Sequence, residues 1–382
     1  MTSLSLNSLG FPPELLERSD AERLAYFQGK IVAHPHLKQA HQALLNAIRQ
    51  PGDASLVLVF GPTGVGKTTL RLRIEQQLCE DLRNAAEPDP GRIGVASMEV
   101  VSPDSGDFRW KDYYLRALKA LDDPFLEQRI DYRVRNIRRS GNGELVVGPH
   151  VSIGDMRRAL EQALYYRRPM AFLMDEAQHL KKIAGGRRLL DQMDVLKSLA
   201  SLTGIVHVLI GTYDLLGLAN LSAQLNRRSI EIHFPRYHAE NSQEWAVFQS
   251  ALLTFQRHLP LAKEPDLIGH SEFIYERSVG CIGILKNWLG RALAGALEKT
   301  AETLTIQHLE RSAEPLRKLL RMAREIQEGE NALVEQTSQQ AELHQLLGMP
   351  HGLERAKDHK TSKSVGKRKP VRDPIGNSDH VP

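Results

Sequence analysis

One short run constrains this chain more than any other: Gly61-Pro62-Thr63-Gly64-Val65-Gly66-Lys67-Thr68. It fits G-x-x-x-x-G-K-[ST], the phosphate-binding P-loop. Ser55-Leu56-Val57-Leu58-Val59-Phe60 precedes it, an apolar run that reads as a buried parallel strand. Leu70 to Leu78 follows with apolar residues at helical spacing. Strand, glycine loop and helix together turn backbone N–H groups inward around phosphate oxygens and add the positive end of a helix dipole. The expected nucleotide contacts are therefore Gly61, Pro62, Thr63, Gly64, Val65, Gly66, Lys67, Thr68 and Thr69. Lys67 would reach the β- and γ-phosphates, and the Thr68 hydroxyl would sit on Mg²⁺.

The second diagnostic stretch is Met170-Ala171-Phe172-Leu173-Met174-Asp175-Glu176, an apolar strand ending in two carboxylates. A strand-end Asp completes the Mg²⁺ shell in P-loop NTPases, which makes Asp175 the metal candidate and Glu176 the candidate general base. Ile205 to Ile210 reads as a further strand, and Thr212 just beyond it is placed to touch the attacking water or the γ-phosphate. Arg92 to Met98 and Ile230 to Phe234 complete five strands.

The 382 residues allow more than one domain. A net charge of +4 does not by itself announce a nucleic-acid binder, so the distribution matters. Arg129 to Arg139 holds five arginines against one aspartate and leads through Ser140-Gly141-Asn142-Gly143 into Glu144-Leu145-Val146-Val147. That pattern suggests an inserted hairpin near 129–148. Its basic face suits a phosphate backbone, and equally a solvated surface or a protein contact. The same choice applies to Lys181 and Lys182 in a basic loop. Cys79 and Cys281 are too far apart for metal-ligand spacing or a disulfide framework, which points to a reducing compartment. Neither a signal peptide nor a membrane-length apolar run is read, so a cytoplasmic protein without membrane contact is expected.

The domain reading is an N-terminal arm at 1–35 that docks on a neighbour or lies loosely, an α/β core at 36–237, and a helical lid at 238–327. A polar and then basic tail at 328–382 is expected to be disordered, with eight Lys/Arg against one Asp between Arg355 and Arg372. Long helices are expected at Ser152–Arg168, Ile282–Lys299 and Ile306–Ile326, and a short one at Leu221–Arg228.

The order and spacing of these motifs over roughly residues 30 to 325 resemble an AAA+ ATPase. In particular, Gly61 to Thr69, Met174-Asp175-Glu176-Ala177-Gln178, Ile210-Gly211-Thr212, Gln224-Leu225-Asn226-Arg227-Arg228 and Gly280-Cys281-Ile282-Gly283-Ile284-Leu285-Lys286 resemble the TnsC and TniB transposition regulators of Tn7-like elements. The resemblance implies a P-loop NTPase fold: a parallel five-stranded sheet with helices on both faces, then a small helical lid. It implies ATP and Mg²⁺ as cofactors and ATP bound between subunits of a homo-oligomer, filament or ring, on double-stranded DNA. It further implies a link between a TniQ- or TnsD-like target-selection protein and a TnsB-like transposase, undone by hydrolysis. By the same resemblance Arg227 or Arg228 is the arginine finger and Lys286 takes a sensor-like place in the lid. Arg133, Arg135, Arg138 and Arg139, or Lys181 and Lys182, would be the DNA contacts. The alternatives are an ATPase of the ExeA type and a replication initiator or helicase loader.

Overall fold

The computed structural model describes residues 10–85, 89–102, 108–122, 137–147, 151–181, 187–219, 227–334 and 337–349. Five parallel strands form the central sheet: β1 (Leu56–Phe60), β2 (Ala96–Glu99), β5 (Ala171–Asp175), β6 (Val206–Gly211) and β7 (Ser229–His233), in the order β2-β5-β6-β1-β7. The two short strands β3 (Ile137–Arg139) and β4 (Leu145–Val147) pair antiparallel around the Ser140–Glu144 turn, a hairpin inside the expected 129–148 span. Its upstream arm, with Arg133 and Arg135, lies outside the described residues.

Burial explains the strand sequences. β1 and β5 are covered on both faces, so every residue of each is buried and neither alternates. One face packs on α2 (Pro35–Arg49) and α3 (Lys67–Arg83), joining Leu44, Ile48, Leu70 and Ile74 to Val57, Val59, Leu173 and Val208. The connections also supply α4 (Trp110–Leu121), α5 (Ile153–Arg167) and α6 (Arg187–Thr203). α5 starts on a capping box in which Ser152 and Asp155 exchange hydrogen bonds. Register sets the site: Phe60 pairs with Gly211 and Met174 with Leu209, so the chain leaves β1, β5 and β6 at one edge of the sheet. The short α7 (Leu216–Ala219) follows β6, and the expected helix at Leu221–Arg228 lies almost wholly outside the described residues.

The helical part contains α8 (Ser242–His258), α9 (Ser271–Ser278), α10 (Ile282–Leu297), α11 (Ile306–Ser312) and α12 (Leu316–Leu333). Its core of Phe248, Leu252, Phe255, Leu285, Trp288 and Leu289 also takes in Phe27, from α1 (Asp20–Gly29). The N-terminal segment thus docks on the lid of its own chain. Arg23 Nε donates to Pro260 O at 3.0 Å, and Gly10 N–H to Arg257 O at 3.1 Å.

The structure departs from the sequence expectation twice more here. The helix expected over Ile306–Ile326 is two helices, because Pro315 cannot donate within a helix and opens the second one. That second helix, α12, then runs past 327 to Leu333. Tertiary contacts hold its end: a Cβ on Gly329 would lie 2.2 Å from Tyr213 Cγ, and Glu330 accepts from Arg236 Nε and Nη2 at 3.0 Å each. The chain from Leu333 onward forms a separate unit, whose described part contains α13 (Thr337–Leu346). Residues 350–382, the basic tail, lie outside the described residues. No helix among the described residues is long and apolar enough to cross a membrane.

Candidate active site

The loop from β1 to α3 carries the phosphate motif. Gly66 caps α3 in the left-handed region, at φ 117°. The first amides of α3 have no partner inside the helix and form a ready anion site. Lys67 is 8 % exposed, and its Nζ donates to Gly61 O at 3.0 Å and Pro62 O at 2.8 Å. Burial pulls its amine pKa down to about 8, a shift opposed by Glu176, Cys281 and Asp175.

Across the edge from α3 stands the end of β5. Thr68 Oγ1 donates to Asp175 Oδ2 at 3.2 Å, so the two residues expected to share a cation touch. The donor set is hard oxygen, the chemistry Mg²⁺ selects, and with phosphate oxygens it would suffice. Asp175 Oδ2 also accepts from Arg71 Nε at 3.2 Å, and Arg71 Nη1 reaches Ser97 Oγ at 2.9 Å and Glu75. The sequence reading missed Arg71. Its signal was position: four residues after Lys67, it stands on the same face of α3.

Glu176 follows with φ 54°, a left-handed conformation that costs a non-glycine residue on the order of 1 kcal/mol. Strain of this kind gathers at functional sites. The Glu176 N–H donates to Asp175 Oδ1 at 3.0 Å. Gln178 Nε2 donates to Glu176 Oε2 at 2.6 Å, while Gln178 Oε1 accepts the Thr212 N–H at 3.3 Å. Thr212 Oγ1 turns to Asp214 Oδ2 at 3.4 Å, and Lys181 Nζ donates to the other carboxylate oxygen, Asp214 Oδ1, at 3.0 Å.

The lid reaches the loop directly. The Ile284 N–H donates to Gly64 O at 3.1 Å, and a Cβ at Gly283 would come within 2.4 Å of that oxygen. A cavity of about 850 Å³ opens beside the contact, walled by Thr63, Thr212, Lys181, Asn287 and Arg291 among others. Asn287 and Arg291 share a helix face with Ile284. Lys286 is not in that wall; it is half-buried, and burial lowers its amine pKa.

The structure thus gathers Gly61 to Thr69, Asp175, Glu176 and Thr212 at one edge, and it does not gather Arg227 and Arg228 with them. Both arginines are exposed at the opposite edge, just before β7, where Ser55 and Leu56 donate to Arg228 O. The length of β1 separates them from the loop, roughly 17 Å at ~3.3 Å per residue. They line a second groove with Asp53 and Lys197. Arg138 and Arg139 lie on β3; Arg133, Arg135 and Lys182 fall outside the described residues.

Residues 49–218 match the family model of the AAA domain. Among solved structures, the ADP form of the Aeropyrum pernix ORC2 protein is 14 % identical, with 75 % of this chain and 71 % of that one covered at a TM-score of 0.47. Drosophila ORC bound to DNA is 14 % identical over 82 % of this chain and 68 % of that one, at 0.45. Domain III of the Thermotoga maritima replication initiation protein DnaA is 16 % identical over 75 % and 94 %, at 0.41. The AAA domain, with its P-loop and strand-end carboxylates on a five-stranded parallel sheet, makes this chain a nucleotide-binding ATPase of the AAA+ fold.

Proposed function

We propose that the AAA domain at residues 49–218 powers an ATP-dependent switch on duplex DNA, which assembles head to tail and hands a chosen target to a transposase. The observation that carries the assembly is the separation of Lys67 from Arg227 and Arg228 by the length of the sheet. One copy cannot bring its own arginines to its own phosphate loop; a neighbour presenting the opposite edge can.

In this reading Gly61 to Thr69 cradle the phosphates and Lys67 counters their charge. Thr68 and Asp175 would hold Mg²⁺, which neutralises phosphate charge when bound. Glu176 orients the water and takes its proton, Thr212 meets the γ-phosphate end, and Arg227 or Arg228 stabilises charge in the neighbour's site. Such a finger is worth ~10³–10⁵ in rate in related enzymes. DNA contact falls to the arginines of 133–139 or to Lys181 and Lys182, supported by charge. The transposition role, with a TnsB-like transposase and a TniQ- or TnsD-like selector, rests on the sequence resemblance.

Three experiments test this. Lys67→Ala and the double variant Arg227→Ala/Arg228→Ala should each be inactive alone, and mixing them should restore hydrolysis, because each lends what the other lacks. No complementation ends the trans-site reading. Duplex DNA should be bound with ATP and released without it, with affinity falling steeply between two salt concentrations; ATP-independent binding ends the switch. Strand transfer by a transposase encoded beside this chain should require it, and an indifferent transposase ends that part.

A further inference from the structure

We propose that Gln178 is a positioning residue for hydrolysis, which ties the Glu176 carboxylate to the backbone at the end of β6. The inference rests on Glu176 acting as the base. The Gln178 amide stands between the two groups, donating through Nε2 to Glu176 Oε2 at 2.6 Å and accepting through Oε1 from the Thr212 N–H at 3.3 Å. A backbone N–H can only donate, so the amide oxygen must face Thr212 and the NH₂ must face Glu176. The orientation is therefore dictated by the network. The bond to Glu176 is charge-assisted, the short and strong kind.

Three further features make this a built arrangement. Glu176 is already held in the left-handed region at φ 54°, so its carboxylate does not fall into place by backbone preference. Gln178 begins no regular helix: it lies in the 3-10 turn Ala177–Lys181 that directs it across to β6. Gly211 leaves room for it, since a Cβ there would lie 2.4 Å from Gln178 Oε1. The charged groups around the pair, His179 apart, belong to other partnerships. Asp175 is engaged by Thr68 and Arg71, Lys67 by the loop carbonyls, and Asp214 by Lys181. His179 Nε2 stands 4.0 Å from Glu176 Oε2. A shift of the Thr212 backbone on meeting a γ-phosphate would therefore move the amide and, through it, the carboxylate.

The test compares Gln178→Ala, Gln178→Glu and Glu176→Gln in the full-length protein. Turnover is followed alongside the dissociation constant of a fluorescent ATP analogue and the melting temperature. Gln178→Ala should lower kcat by about tenfold or more, since small misplacements of a reacting group cost that much. KM and analogue affinity should stay within about twofold, the signature of a group that acts after ground-state binding. Gln178→Glu is isosteric and can still accept from Thr212, but it has no NH₂ for Glu176; it should lose as much as the alanine variant. Wild-type kcat in Gln178→Glu, or equal losses of binding and kcat in Gln178→Ala, overturns the proposal while Glu176→Gln is inactive. Wild-type turnover in Glu176→Gln instead removes the base assignment itself, and this inference with it.

Discussion

The Ile284 N–H donates to the Gly64 carbonyl at 3.1 Å, so the first turn of α10 is part of the phosphate loop's own surroundings. Gly283, one residue earlier, has no room for a side chain against Gly64 O. Gly283→Ala should therefore push loop and lid apart. Nucleotide affinity is expected to fall by about tenfold, equivalent to ~1.4 kcal/mol, with a smaller loss of global stability. Titration of a fluorescent ATP analogue beside a urea melt checks it; an unaltered affinity would separate the lid from nucleotide binding.

Lys67 is poised to change protonation when phosphate arrives. Its free amine is held down to about 8 by burial. Nearby phosphate favours the charged form and raises that value. At pH 8 about half a proton should be taken up per ATP bound, and affinity should weaken as pH rises further. Calorimetry in two buffers of different ionisation enthalpy measures the uptake. Lys67→Arg, always charged, should abolish it.

His207 lies on β6 between β1 and β5, fully buried, and burial pushes its pKa from 6.5 down to about 4. The unfolded chain takes a proton below pH 6.5 that the folded chain refuses until about pH 4. Stability from this group is complete above pH 6.5 and is lost as pH falls between those values. At ~1.4 kcal/mol per unit, the loss reaches about 2 kcal/mol at pH 5. Denaturant titrations at pH 7 and pH 5 should show His207→Leu narrowing the gap between them by about that amount. The same acid sensitivity from His34, also lowered to about 4, would remain.

Glu330 anchors the end of α12 through a bidentate pair with Arg236 and a 3.2 Å contact to His238 Nε2. Removing it strands a half-buried guanidinium. Glu330→Ala should cost about 1–3 kcal/mol and speed hydrogen exchange over the last turns of α12 ahead of the sheet. Exchange rising equally everywhere would mean that the pair holds the whole fold and not the helix end.

What could be read from sequence followed from locality. The P-loop, Asp175 and Glu176 are contiguous residues whose chemistry depends on a strand just before them, and buried strands announce themselves as apolar runs. Pro315 was equally local, and its break in the expected helix was there to be read. Arg71 and Gln178 were harder: each lies within four residues of a motif, yet its role depends on which strand end faces it.

The sequence alone determined that a nucleotide-binding edge exists and which residues form its loop, because a phosphate cradle is built from consecutive backbone amides. Tertiary structure alone decided what surrounds it. Strand order set Thr212 beside Glu176 and put Arg227 and Arg228 at the far edge. Packing drew Phe27 into the lid and carried α12 onward to Tyr213 and Arg236. These are contacts between segments far apart in the chain, and spacing along a sequence carries no record of them until burial and hydrogen bonding bring the segments together.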